Sequence, residues 1–95
     1  MRREHDGRMR LDKFLQATGV FKSREWAKEA CEDGKVLVNE AAARPAKEVA
    51  VGQVIEVETR QSRLRIEVLE VPAGNVNKAL RARFIKVSEE DYTTD

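Results

Sequence analysis

The stretch RLDKFLQATGVFKSREWAKEACEDGKVLVN, residues 10–39, changes periodicity twice, and those changes decide the architecture. Its first part is helical: Leu11, Phe14, Leu15 and Thr18 fall on one face, and Gly19 follows as a C-terminal cap. Ser23 starts a second helix, because its hydroxyl can accept from the free backbone N–H groups of the first turn. That helix runs to about Glu32 and stops at Asp33-Gly34. Val36 and Val38 then alternate as in a half-buried strand. Two short helices cannot bury both of their faces, so they are expected to pack on one face of a small sheet.

The charges of the second helix are sorted. On a wheel of about 100° per residue, Trp26, Ala27, Ala30 and Cys31 occupy one sector, which predicts a buried face with Trp26 in the core. Arg24 and Lys28 share a ridge beside it, and Glu25, Glu29 and Glu32 form an acidic stripe further round. The pairs Arg24/Lys28 and Glu25/Glu29 are like-charged at i,i+4, each costing roughly 0.2–0.5 kcal/mol. The start of a helix is electropositive and favours acids, yet Lys22 and Arg24 flank Ser23 and Lys28 follows one turn later. On the first helix, Arg10 and Lys13 fall on a common side, away from Asp12. If the helices are antiparallel, Arg10, Lys13, Lys22, Arg24 and Lys28 converge on one surface, and Arg8 extends it through the N-terminal arm. Such a surface around free N–H groups is a phosphate site, most simply for a nucleic-acid backbone. The competing reading is a solvated helix face. On the sequence alone, changing Lys22, Arg24 and Lys28 to Glu is expected to leave the fold intact.

Outward from this stretch, residues 1–8 read as a flexible basic arm. Residues 41–52 form a connector in which Pro45 excludes a helix interior. QVIEVET and RLRIEVLEV are alternating runs joined at Gln61-Ser62, hence a β-hairpin. PAGNVNK is a loop, ALRARFIKV a helical turn followed by a strand at 84–87, and residues 89–95 an acidic tail. The predicted fold class is α+β, two short N-terminal helices on a small, mostly antiparallel sheet with a C-terminal hairpin extension. The predicted divisions are 1–8 for the arm, 9–58 for the binding domain, 59–88 for a β extension packed on it, and 89–95 for the tail.

Ninety-five residues bound one core. Lys plus Arg total 18 against 17 for Asp plus Glu, a net charge of +1, so any nucleic-acid site must arise from charge sorting. A single cysteine, Cys31, excludes an internal disulfide framework and fits a reducing cytoplasm. No apolar run approaches the ~20 residues of a membrane span, and the N-terminus lacks the apolar core of a secretory signal. His5 and Cys31 together do not make a metal site, and Cys31 reads as a small core residue rather than a nucleophile. The glycines show no phosphate-loop spacing; Gly34 and Gly52 read as turn residues. No catalytic residue, cofactor or metal is expected.

Residues 10–39, followed by VAVGQVIEV, resemble the RNA-binding domain named after ribosomal small-subunit protein S-four, an arrangement called the alpha-L motif. The resemblance covers Arg10 to about Val57, roughly half the chain. It implies RNA binding, with Arg10, Lys13, Lys22, Ser23, Arg24 and Lys28 at RNA-facing positions. Asn39 is open between an RNA contact and a turn residue that closes the strand. The short layout is similar to stand-alone bacterial members, the fifteen-kilodalton heat-shock protein and the RqcP proteins. That similarity implies a non-catalytic role on large ribosomal subunits that carry peptidyl-tRNA after stalling. The implied partners are large-subunit rRNA, peptidyl-tRNA and a ribosome quality-control protein, with the chain monomeric in the cytoplasm. Family members usually carry Gly after the Asn of VN, where this chain has Glu40, which suggests a different turn. The alternatives are a heat-shock-like recycling factor and a protein-interaction module acting through its sheet edge. An RNA-modifying enzyme of the kind that carries this domain is disfavoured by length.

Overall fold

The computed structural model describes residues 8–91; most of the predicted arm, with His5 and Gly7, and residues 92–95 of the tail lie outside the described residues. In chain order the elements are β1 (Met9–Arg10), α1 (Leu11–Ala17), α2 (Arg24–Glu32), β2 (Val36–Val38), β3 (Ala41–Ala42), β4 (Glu48–Val49), β5 (Val54–Glu58) and β6 (Ser62–Val68). A 3-10 turn at Lys78–Leu80, α3 (Arg81–Phe84) and β7 (Ile85–Asp91) complete it. The five strands β3-β2-β5-β6-β7 form one antiparallel sheet, and β1 pairs separately with β4. The α+β class read from the sequence is the one observed.

The core lies between the helix pair and one face of the sheet. Leu11, Phe14 and Leu15 of α1 are fully buried against Ala27 and Cys31 of α2 and against Val36, Val38, Ile55, Val57 and Ile66. Strand residues alternate between faces, so Glu56 and Glu58 of β5 lie on the far side with Arg65 and Arg63, their register partners in β6. Those pairs are closed at 3.3 Å for Arg65–Glu56 and 3.0 Å for Arg63–Glu58. The outer sheet face therefore neutralises its own charges across the strands.

The ends of α1 and α2 follow the sequence signals. Thr18, buried at the end of α1, donates its hydroxyl to the Phe14 carbonyl at 2.8 Å. Gly34 and Gly52 sit at φ 77° and 92°, where a side chain would be strained. The predicted connector supplies more than length: Leu11 N–H donates to the Lys47 carbonyl at 2.7 Å and Asp12 N–H to that of Pro45 at 3.1 Å. These bonds occupy N–H groups that the first turn of any helix leaves open.

Two expectations change, and the turn at Glu40 takes a definite form. Trp26 is 59% exposed, so it is not core. The helices close on the small Ala27 and Cys31, and the indole falls past that sector, beside Phe21, Ala30 and Val57 at the rim. The C-terminal strand starts at Ile85 and runs to Asp91, three residues into the predicted acidic tail. It continues because β6 offers partners along its whole length, from Val68↔Ile85 to Ser62↔Asp91, and the buried Ser62 hydroxyl donates to Glu89 at 2.7 Å. Asn39 and Glu40 form a two-residue hairpin loop at φ 50° and 73°, the pattern of a type I′ turn.

Candidate nucleic-acid interface

The basic surface is organised by an acid. Asp12, only 1% exposed, lies in the first turn of α1. Arg10 donates to it through Nε at 3.1 Å and Nη2 at 3.0 Å, and the Lys13 backbone N–H donates at 2.7 Å. Arg24 of α2 reaches the same carboxylate from the other helix, Nε to Oδ2 at 3.5 Å. Burial pushes the Asp12 pKa up, but the hydrogen bond from Arg10, the charge of Arg24 and the Lys13 N–H outweigh it, leaving the pKa below 3.8. One buried carboxylate thus ties two arginines from two elements into a fixed relation. Both arginine side chains stay about half exposed, at 46% and 49%. Each guanidinium carries five N–H donors, so donors remain on both for an outside anion.

This corrects the expectation that Arg10 lies away from Asp12; the Lys13 side chain does point elsewhere, to Gln16 and Asn75. Arg10 is not on the helix: it is the N-cap residue, extended at φ −66°, ψ 149°, so the wheel does not apply to it. Asp12 is the organising residue that periodicity missed; an acid in the first turn two residues after Arg10 was the available signal.

Ser23 caps α2 as expected, its hydroxyl oxygen accepting from Trp26 N–H at 3.1 Å. Lys22 and Lys28 are exposed and make no ion pair among the described residues. Lys13 reaches out to Asn75 Oδ1 at 3.2 Å and Gln16 Oε1 at 3.4 Å. Arg8 pairs with Glu48 at 3.6 Å, both exposed. Asn39 is brought to β5 instead: its backbone N–H donates to the Val54 carbonyl at 2.8 Å, and its side-chain oxygen accepts from Val54 N–H at 3.0 Å. The turn reading of Asn39 accounts for both bonds.

Among the described residues no group of three or more His, Cys, Asp or Glu could hold a metal ion. Burial, reinforced by the charges of Asp12 and Glu32, pushes the Cys31 thiol up to about 11, which removes its thiolate at neutral pH. No described helix is long and apolar enough to cross a membrane.

Residues 9–55 match the model of the S4 domain. The chain is 39% identical over 64 residues to the RQC P-site tRNA stabilizing factor of Helicobacter pylori strain J99, covering 67% of this chain and 76% of that protein. It belongs to the S4-domain family of these factors. Two solved structures share the fold of this S4-domain protein. The trimeric heat shock protein 15 of Vibrio cholerae has a TM-score of 0.78 at 26% identity, over 85% of this chain and 82% of that one. The solution structure of the hypothetical protein HP1423 has a TM-score of 0.73 at 32% identity, over 92% of this chain and all of the other. The S4 match ends inside β5, so β6, α3 and β7 lie beyond it.

Proposed function

We infer that the chain is a non-catalytic RNA-binding protein that grips rRNA and tRNA backbone on the large ribosomal subunit, a reading supported by its S4 domain and by relatives named RQC P-site tRNA stabilizing factors. The observation that carries this is the pair Arg10 and Arg24, held by buried Asp12 beside the capped start of α2 and accompanied on that helix start by Lys22 and Lys28, which have no ion pair among the described residues. Fixed guanidinium groups beside free ammonium groups suit a phosphate backbone, because the fork geometry is set before the anion arrives. Arg8 and Lys13 widen the surface along α1. Asn39 drops out of it, since its oxygen is already bound to Val54. The binding domain spans residues 9–58, and the β extension packs on the same sheet. The chain works as a monomer in the cytoplasm on subunits that hold peptidyl-tRNA after stalling. A recycling role on such subunits is the second reading, kept open by the structural likeness to heat shock protein 15.

The test is sedimentation of tagged protein from lysate at low and high salt, wild type beside a Lys22→Glu, Lys28→Glu variant. Wild type is expected in the large-subunit fraction at low salt and to be released by high salt, with the variant at the top throughout. Wild type at the top under both conditions would remove the ribosome as partner. Arg24→Glu is left out of this variant for a structural reason: it would set a second carboxylate against buried Asp12.

A further inference from the structure

The last third of the chain holds a run without a single Asp or Glu, residues 71–88, which carries Lys78, Arg81, Arg83 and Lys86. Arg83 is paired with Glu70 at 3.4 Å, and Lys86 stands opposite Glu67 in the strand register. Lys78 and Arg81 have no ion pair among the described residues. Both line a cleft of about 290 Å³ against the end of α1, together with Gln16, Thr18, Gly19 and Asn75, and among the described residues no carboxylate lines it.

The segment is fastened in place. Val76 N–H donates to the Ala17 carbonyl at 2.9 Å, and Asn77 Oδ1 accepts from Ala79 N–H at 2.9 Å to start the 3-10 turn that carries Lys78. Phe84, just beyond, packs on the core. The cleft also joins the basic surface already described. Lys13 Nζ donates to Asn75 Oδ1 at 3.2 Å and to Gln16 Oε1 at 3.4 Å, and both acceptors line the cleft. Lys13, on the seven-residue α1, thus links the two regions: its backbone N–H is bound to the Asp12 carboxylate that holds Arg10, and its side chain reaches Asn75 at the Lys78/Arg81 cleft.

A cation at the end of α1 also complements its dipole. That accounts for charge near the last carbonyls, but not for two unpaired cations facing one acid-free cleft. We propose that this cleft is a second phosphate site, outside the S4 match, in which Lys78 and Arg81 hold the backbone of the RNA that Arg10 and Arg24 grip. The proposal rests on the RNA-binding reading above.

The experiment measures affinity of the full chain for purified large subunits across a salt series, with and without P-site tRNA. Lys78→Ala with Arg81→Ala should bind several-fold more weakly at low salt, with a slope of log affinity against log salt shallower by about two. The single variants should each give about half that change. Lys78→Arg with Arg81→Lys should keep the wild-type slope, because phosphate contact needs only the charge. A dipole role would lower the melting temperature and leave the slope alone, which would overturn the proposal. A wild-type slope in the double variant, while Lys22→Glu with Lys28→Glu loses binding, would overturn it and leave the proposed function standing. Wild type that shows no salt-dependent binding would overturn both. A slope change on bare subunits identifies rRNA as the source of the phosphate, and one seen only with tRNA loaded identifies tRNA; either supports the site.

Discussion

A carboxylate that is 1% exposed and touched by two arginines answers to burial and to its partners at once, and at Asp12 the partners win. Its pKa is lower folded than unfolded, so its contribution to stability is present above the unfolded value near 3.8 and is lost as pH falls through the folded value. Asp12→Asn removes the charge from two arginine contacts and is expected to cost about 2 kcal/mol in denaturant melts at pH 7. The gap should close as the pH drops below about 4. None of this was visible to a helical wheel, which treats Arg10 as part of the helix when it is the extended residue before it. Glu40 is the converse case, since its left-handed backbone follows from turn geometry rather than from its side chain. Such a conformation costs a non-glycine residue roughly 1–2 kcal/mol, and glycine returns part of that as chain entropy. Glu40→Gly should therefore raise stability by about 0.5–1 kcal/mol, read from the denaturation midpoint at unchanged m-value.

Among the elements, α2 was legible in its limits and ambiguous in its faces. Ser23 and the Asp33-Gly34 stop are read directly from the chain, because caps are local chemistry. Which edge of the apolar sector is covered depends on how closely α1 approaches, and small Ala27 lets it come near enough to leave Trp26 outside. Trp26→Ala should then cost less than about 1 kcal/mol, whereas a core Trp would lose 3–5 kcal/mol. Chemical denaturation followed by far-UV circular dichroism decides between them. The basic ridge of α2 is likewise not uniform. Lys22 and Lys28 are free among the described residues, so changing both to Glu should hold the melting temperature or raise it slightly by complementing the helix start. Arg24 is tied to Asp12, and Arg24→Glu should lower the melting temperature by several degrees. At the other end of the chain, alternation in RLRIEVLEV predicted β6, but the full reach of β7 depended on a partner strand that local pattern does not contain.

At the scale of the molecule, a net charge of +1 hides two differently built surfaces. The outer sheet face closes Glu56 with Arg65 and Glu58 with Arg63, while the flank of α1 and α2 concentrates cations around one buried acid. The residues of that flank were readable in advance from the like-charged i,i+4 pairs and the resemblance to the S4-type domain. The cleft of Asn75, Lys78 and Arg81 was not, because these residues meet the end of α1 only through the tertiary fold. With about eight phosphate contacts, two of them from Lys78 and Arg81, affinity for large subunits should fall as roughly the sixth to seventh power of salt concentration, whatever the net charge. The most direct measurement is a cryo-electron microscopy structure of the protein on a large ribosomal subunit carrying P-site tRNA. The account predicts the Arg10 and Arg24 guanidinium groups at about 3 Å from RNA phosphate oxygens, with the outer sheet face turned away from RNA. A complex in which the sheet face or the Trp26 rim meets the subunit and the Asp12-held arginines face solvent would contradict it.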